Sequence, residues 1–137
     1  HMLGTIYFND VNLSKNFNGW KAYCQSKLAN ILFSNELAIR LKGKSITSNC
    51  LHPGTVRSQV LNDIPKYISM FSKITSIDPE EGASTPFFLA TSKKVDHLSG
   101  KYFAKERIVK PFILPGISKR QSEFWELSAR LTGFKKQ

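Results

Sequence analysis

Between Ala22 and Lys42 the chain contains neither glycine nor proline, and Leu28, Ile31, Leu32, Ala38 and Ile39 recur at helical spacing. That spacing predicts a long helix, with Gly43 as its natural stop because glycine tolerates the left-handed backbone that ends helices. Phe33, Leu37 and Leu41 add a second apolar row, so the helix is expected to be buried on more than one side, or against a partner subunit as well as a sheet. Ile46 to Leu51 follows as a short strand. Its end is set by Pro53-Gly54, since proline cannot donate to a ladder and glycine permits a turn. Helix, strand and Pro-Gly loop in that order predict an α/β fold.

Around this unit the reading is coarser. His1 to Lys21 mixes Gly4, Asn9, Asp10, Asn12, Asn16, Asn18 and Gly19 with short apolar pieces and reads as loop and turn. Gln59 to Ile77 carries apolar residues at helical steps, broken by Pro65, and predicts a short, partly amphipathic, lid-like helix pair. A further helix is expected from Pro79 to about Thr91, because proline suits the first helical position and Glu80 and Glu81 favour the positive end of the helix dipole. Lys101 to Phe103 reads as a weak strand, and Pro111, Pro115 and Gly116 break the stretch after it. The last helix is predicted over Ser118 to Leu131, with Phe124, Leu127 and Leu131 on one face and Gly133 ending it.

Composition excludes several classes of function. No stretch of eighteen or more apolar residues exists, so a membrane span is not expected, and neither is a signal peptide. Any membrane anchor would lie outside this chain. Cys24 and Cys50 lack ligand-like spacing from each other or from His52, so no metal site is expected and the thiols are read as free, in a reducing compartment. The net charge of +10 comes from scattered basic residues, such as Lys93-Lys94 and Lys119-Arg120, rather than from a cluster. These are read as solvated faces, not as a nucleic-acid surface, although attraction for an anionic cofactor or for lipid headgroups stays open.

Chemistry enters with Tyr23 and Lys27, which stand four residues apart and hence one helical turn apart on the same face. An ammonium beside a phenol favours the phenolate, so Lys27 is expected to lower the pKa of Tyr23 toward a range useful for proton transfer. Such spacing arises often by chance, in which case the pair is a surface lysine beside a half-buried tyrosine.

The wider context decides between these. The block Tyr23-Cys24-Gln25-Ser26-Lys27-Leu28-Ala29-Asn30, then a helix and a strand, then Leu51-His52-Pro53-Gly54-Thr55-Val56-Arg57-Ser58, closely resembles the short-chain dehydrogenase/reductase family. Both the Tyr-x-x-x-Lys pair, with serine before the lysine, and the strand ending in Pro-Gly occur in order. Ala22 to Phe33 and Leu51 to Gly54 resemble the retinol-dehydrogenase-like branch of that family. Leu3-Gly4 to Asn12-Leu13 looks like the branch's segment between catalytic serine and tyrosine, which leaves His1-Met2 open between native sequence and expression remnant.

The resemblance implies the C-terminal half of a Rossmann-like doubly wound parallel sheet, with residues 1–137 forming the catalytic and substrate-binding portion. The Gly-rich pyrophosphate loop, the catalytic serine and the relay asparagine would precede His1, and neither Ser14 nor Asn12 sits at the family position of the latter two. The half-fold is expected to be incomplete, belonging to a longer protein or completed by another chain or a second copy. By the same resemblance Tyr23 is the general acid/base, and Lys27 tunes it and binds the nicotinamide ribose, so that both touch the cofactor. Pro53, Gly54, Thr55 and Val56 would meet the carboxamide through their backbone, and Ser58 stands where many members place a threonine near the cofactor. His52 is read as structural. The implied cofactor is NADP, or NAD, and the implied substrate is retinol, retinal or a similar apolar alcohol or carbonyl. The implied location is the cytoplasm, or the cytoplasmic face of the endoplasmic reticulum where an upstream anchor exists. A non-catalytic binding or interaction module, with Tyr23 and Lys27 kept by descent, is the alternative.

Overall fold

The computed structural model describes residues 4–54 and 77–134. They include helices α1 (Gly19–Arg40), α2 (Pro79–Thr91) and α3 (Gln121–Thr132), and strands β1 (Cys50–His52), β2 (Tyr102–Ala104) and β3 (Arg107–Ile108). The strands form one mixed sheet in the order β1-β2-β3. The chain gathers into two compact units. One holds residues 1–50, 98–101 and 110–137, the other 51–97 and 102–109.

In the first unit α1 starts earlier than its apolar periodicity suggested. The side chain of Asn18 accepts the N–H of Lys21 at 3.0 Å, satisfying one of the donors a helix start leaves orphaned, so Gly19 and Trp20 are helical rather than loop. The helix ends at Arg40, and Gly43 follows in a left-handed conformation with φ 84°. Leu28 and Leu32 are fully enclosed and pack with Ile6 and with Phe124 of α3. Ile39, placed in the apolar row by its spacing, is instead 58% exposed, and Phe33 is exposed at its edge.

Phe33 and Arg40 are occupied all the same. Phe33 stacks on Trp125 of α3 with centroids 5.1 Å apart, and the Arg40 guanidinium lies 4.7 Å over the same indole. Arg40 also donates to the buried Glu36 and to Glu126, each at 2.9 Å. One arginine thus neutralises a carboxylate on its own helix while bridging to α3.

The final helix is shorter than its pattern implied. Ser118–Arg120 forms a 3-10 turn, and α3 proper runs from Gln121 until Gly133 caps it in the left-handed region, φ 69°. Phe124 and Leu127 are buried as expected, but Leu131 is exposed one turn beyond the packing surface.

In the second unit α2 has the limits its sequence predicts, with Asp78 at the N-cap, Pro79 opening it and Glu80 and Glu81 in the first turn. Pro86 lies inside it, where it supplies no N–H to the carbonyl one turn back. Phe103 on β2 is 1% exposed, and Tyr102, Val95 and Thr85 are also buried. Strand β2 begins one residue later than predicted and returns through β3 as a two-residue hairpin, with Ala104 opposite Arg107. Lys105 and Glu106 form its turn with φ of 50° and 58°. Positive φ at both central residues defines the turn that matches strand twist, but it normally selects Asn or Gly. Here the N–H of Glu106 donates to Thr85 Oγ1 at 3.2 Å, tying the turn to α2. The predicted lid from Gln59 to Ile77 lies, except for Ile77, outside the described residues.

Candidate active site

Tyr23 and Lys27 sit on the exposed side of α1, opposite the row that carries Leu28 and Leu32 into the core. The Lys27 ammonium is 5.4 Å from the centroid of the Tyr23 ring, a cation–π distance, and the phenol is 53% exposed. Trp20, one turn earlier, stacks on the same ring with centroids 5.9 Å apart and planes at 22°. The two side chains expected on one helix face from their spacing thus lie side by side.

Helix α1 is held in place by a residue between them that periodicity does not single out. Gln25 is buried; its Oε1 accepts the N–H of Tyr7 at 2.9 Å and its Nε2 donates to Val11 O at 2.8 Å. The amide so fastens the opening segment to the helix. A polar residue at an inward helical position was the available signal, because a buried amide requires partners. Asp10 turns that segment: its carboxylate accepts the N–H groups of Lys15 and Ser14, and these bonds hold its pKa below the ordinary value. Cys24 is buried, and Cys50 donates to Asn30 O at 3.5 Å. Burial raises the Cys50 thiol pKa, partly offset by a hydrogen bond with Ser34.

The Pro-Gly loop belongs to the second unit. Gly54 has φ 90°, and a Cβ on it would lie 2.6 Å from Ile77 Cδ1. Glycine is thus favoured by the backbone conformation, and a side chain there would also have to displace the tip of Ile77. The N–H of Gly54 donates to His52 Nδ1 at 2.7 Å, so His52 shapes the loop. Thr85, Lys105 and Glu106 join His52, Pro53 and Gly54 around a hollow of about 530 Å³. Thr55, Val56 and Ser58 lie outside the described residues. Among the described residues no group of three or more His, Cys, Asp or Glu side chains could hold a metal ion, and no helix is long and apolar enough to cross a membrane.

A helix presenting Tyr-x-x-x-Lys, followed by a strand that ends in a Pro-Gly turn, defines an α/β chain. No family model matches the chain. It is, however, 38% identical over 143 residues to retinol dehydrogenase 12 of Bos taurus, covering 98% of this chain and 43% of that protein. It is 38% identical over 141 residues to retinol dehydrogenase 14 of Homo sapiens, covering 97% and 41%, and 40% identical over 106 residues to retinol dehydrogenase 11 of Mus musculus, covering 76% and 34%. The chain belongs to the short-chain dehydrogenase/reductase family and corresponds to the C-terminal part of these retinol dehydrogenases. It spans 43% or less of the length of each, and its α/β elements are those of a partial Rossmann-like fold.

Proposed function

We propose that the protein carrying this chain is an NAD(P)-dependent oxidoreductase that interconverts an alcohol and a carbonyl on an apolar substrate such as retinol and retinal. The observation that carries this reading is the open phenol of Tyr23 with the Lys27 ammonium over its ring, on a helix matched to the retinol dehydrogenases. Residues 1–137 act as the catalytic and substrate-binding portion. The chain spans 43% or less of the length of these relatives, so activity is assigned to the longer protein and not to the chain alone.

The residues present suit a nicotinamide dinucleotide. Lys27 offers an exposed donor suited to a ribose hydroxyl, and Gly54, in a left-handed turn of φ 90°, borders a hollow that a planar amide would enter. Pro53, Gly54, Thr55 and Val56 would hold the carboxamide, with Ser58 adding a hydroxyl. When bound, the dinucleotide supplies or removes a hydride at the substrate carbon. In the reducing direction Tyr23 gives its hydroxyl proton to the carbonyl oxygen, so that carbonyl becomes alcohol and phenol becomes phenolate. In the oxidising direction it takes the alcohol proton. Lys27, over the ring, offsets the negative charge that develops on it. NADP is favoured over NAD, by resemblance to the branch.

The test is nucleotide-dependent turnover by the longer protein. Retinal should be reduced with NADPH at higher kcat/KM than a short aldehyde and faster than with NADH. Absence of carbonyl reduction and of alcohol oxidation with either nucleotide would leave the non-catalytic module as the better reading.

A further inference from the structure

A side chain on an α-helix leans toward the helix N-terminus and lies over the residues three and four positions earlier. For Tyr23 these are Trp20 and Gly19. Gly19 has no side chain, and a Cβ built there would meet nothing within 4 Å. Support on that side therefore comes from the indole of Trp20, which stacks on the phenol with centroids 5.9 Å apart. On the C-terminal side Lys27 leans back over the same ring, 5.4 Å from its centroid. A half-exposed tyrosine on a helix surface would otherwise choose among rotamers whose hydroxyls lie several ångströms apart. Trp20 is itself 62% exposed.

We propose that Trp20 is a positioning residue for Tyr23, its indole fixing the direction in which the phenol presents its hydroxyl to the substrate. This rests on the reading of Tyr23 as the proton-transfer group. Trp20 does not touch the proton in flight; it narrows the rotamer population of the residue that does. The consequence is on kcat rather than on binding, because misdirecting a catalytic group by about 1 Å costs rate while leaving the binding surface intact. Trp20 also borders a hollow of about 220 Å³ with Tyr7, Lys21 and Cys24. A role as an apolar wall for substrate is the competing outcome.

The experiment compares Trp20→Ala, Trp20→Phe and Tyr23→Phe in the longer protein, with NADPH and both a short aldehyde and retinal. Trp20→Ala should lower kcat about tenfold for both aldehydes with each KM within about twofold, and Trp20→Phe, which can still stack, should recover most of kcat. A raised KM for retinal at unchanged kcat would make Trp20 a substrate wall and overturn the proposal. So would unaltered kinetics in Trp20→Ala, or an equal loss in Trp20→Ala and Trp20→Phe. A second measurement is independent of turnover: with 5-fluorotryptophan incorporated, the fluorine resonance that disappears in Trp20→Phe should shift in Tyr23→Leu. A resonance that stays put would show that the rings do not stack. Wild-type turnover in Tyr23→Phe would instead overturn the reading of the site itself.

Discussion

Cys50 shows how local environment separates two thiols that look equivalent in the sequence. It is half-buried with its Sγ directed at Asn30 O, and burial pushes its pKa upward. Thiolate is the form that reacts, so a raised pKa withholds reactivity until the pH climbs past the ordinary cysteine range. Alkylation of Cys50 by iodoacetamide, followed by mass spectrometry, should therefore lag a free cysteine at neutral pH and catch up only in alkali; a rate equal to that of the free thiol at neutral pH would contradict the burial argument. Tyr23, Lys27 and Gly54 were legible in the sequence because a motif and a turn each demand a residue type. Gln25 and Trp20 were not, because what matters about them is which group each touches: Tyr7 and Val11 for the one, the phenol for the other.

At the scale of elements, periodicity located the helices and misjudged their edges. Ile39 and Leu131 share the spacing of buried neighbours yet stand in solvent. Leu28→Ala, at a fully enclosed position, should cost about 2–5 kcal/mol of stability, whereas Ile39→Ala should stay within about 1 kcal/mol. Denaturant unfolding of the longer protein with each variant would check this, and equal losses would mean that Ile39 is covered in solution. The start of α1 was missed because Asn18-Gly19 reads equally as turn or cap, and only the bond to Lys21 decides. The β2–β3 hairpin was missed for a different reason. Its turn places Lys105 and Glu106 where Asn-Gly would be expected, and the Thr85 hydroxyl that receives the Glu106 N–H lies twenty-one residues away.

For the molecule as a whole, an α/β order with a Tyr-x-x-x-Lys helix and a Pro-Gly strand end was visible in the sequence, and relatives at 38% identity agree with it. The chain's two compact units were not visible, because the first is assembled from three separated stretches, 1–50, 98–101 and 110–137. The central proposal is that one phenol on α1 carries the proton of a carbonyl–alcohol interconversion. Its most direct test is NADPH-dependent reduction of retinal by the longer protein and its Tyr23→Phe variant, with nucleotide affinity measured calorimetrically alongside. Turnover should fall by a factor of about 10² or more while nucleotide affinity stays nearly unchanged, since only the proton donor is removed, and Lys27→Ala should weaken both. Near wild-type turnover in Tyr23→Phe would contradict the assignment.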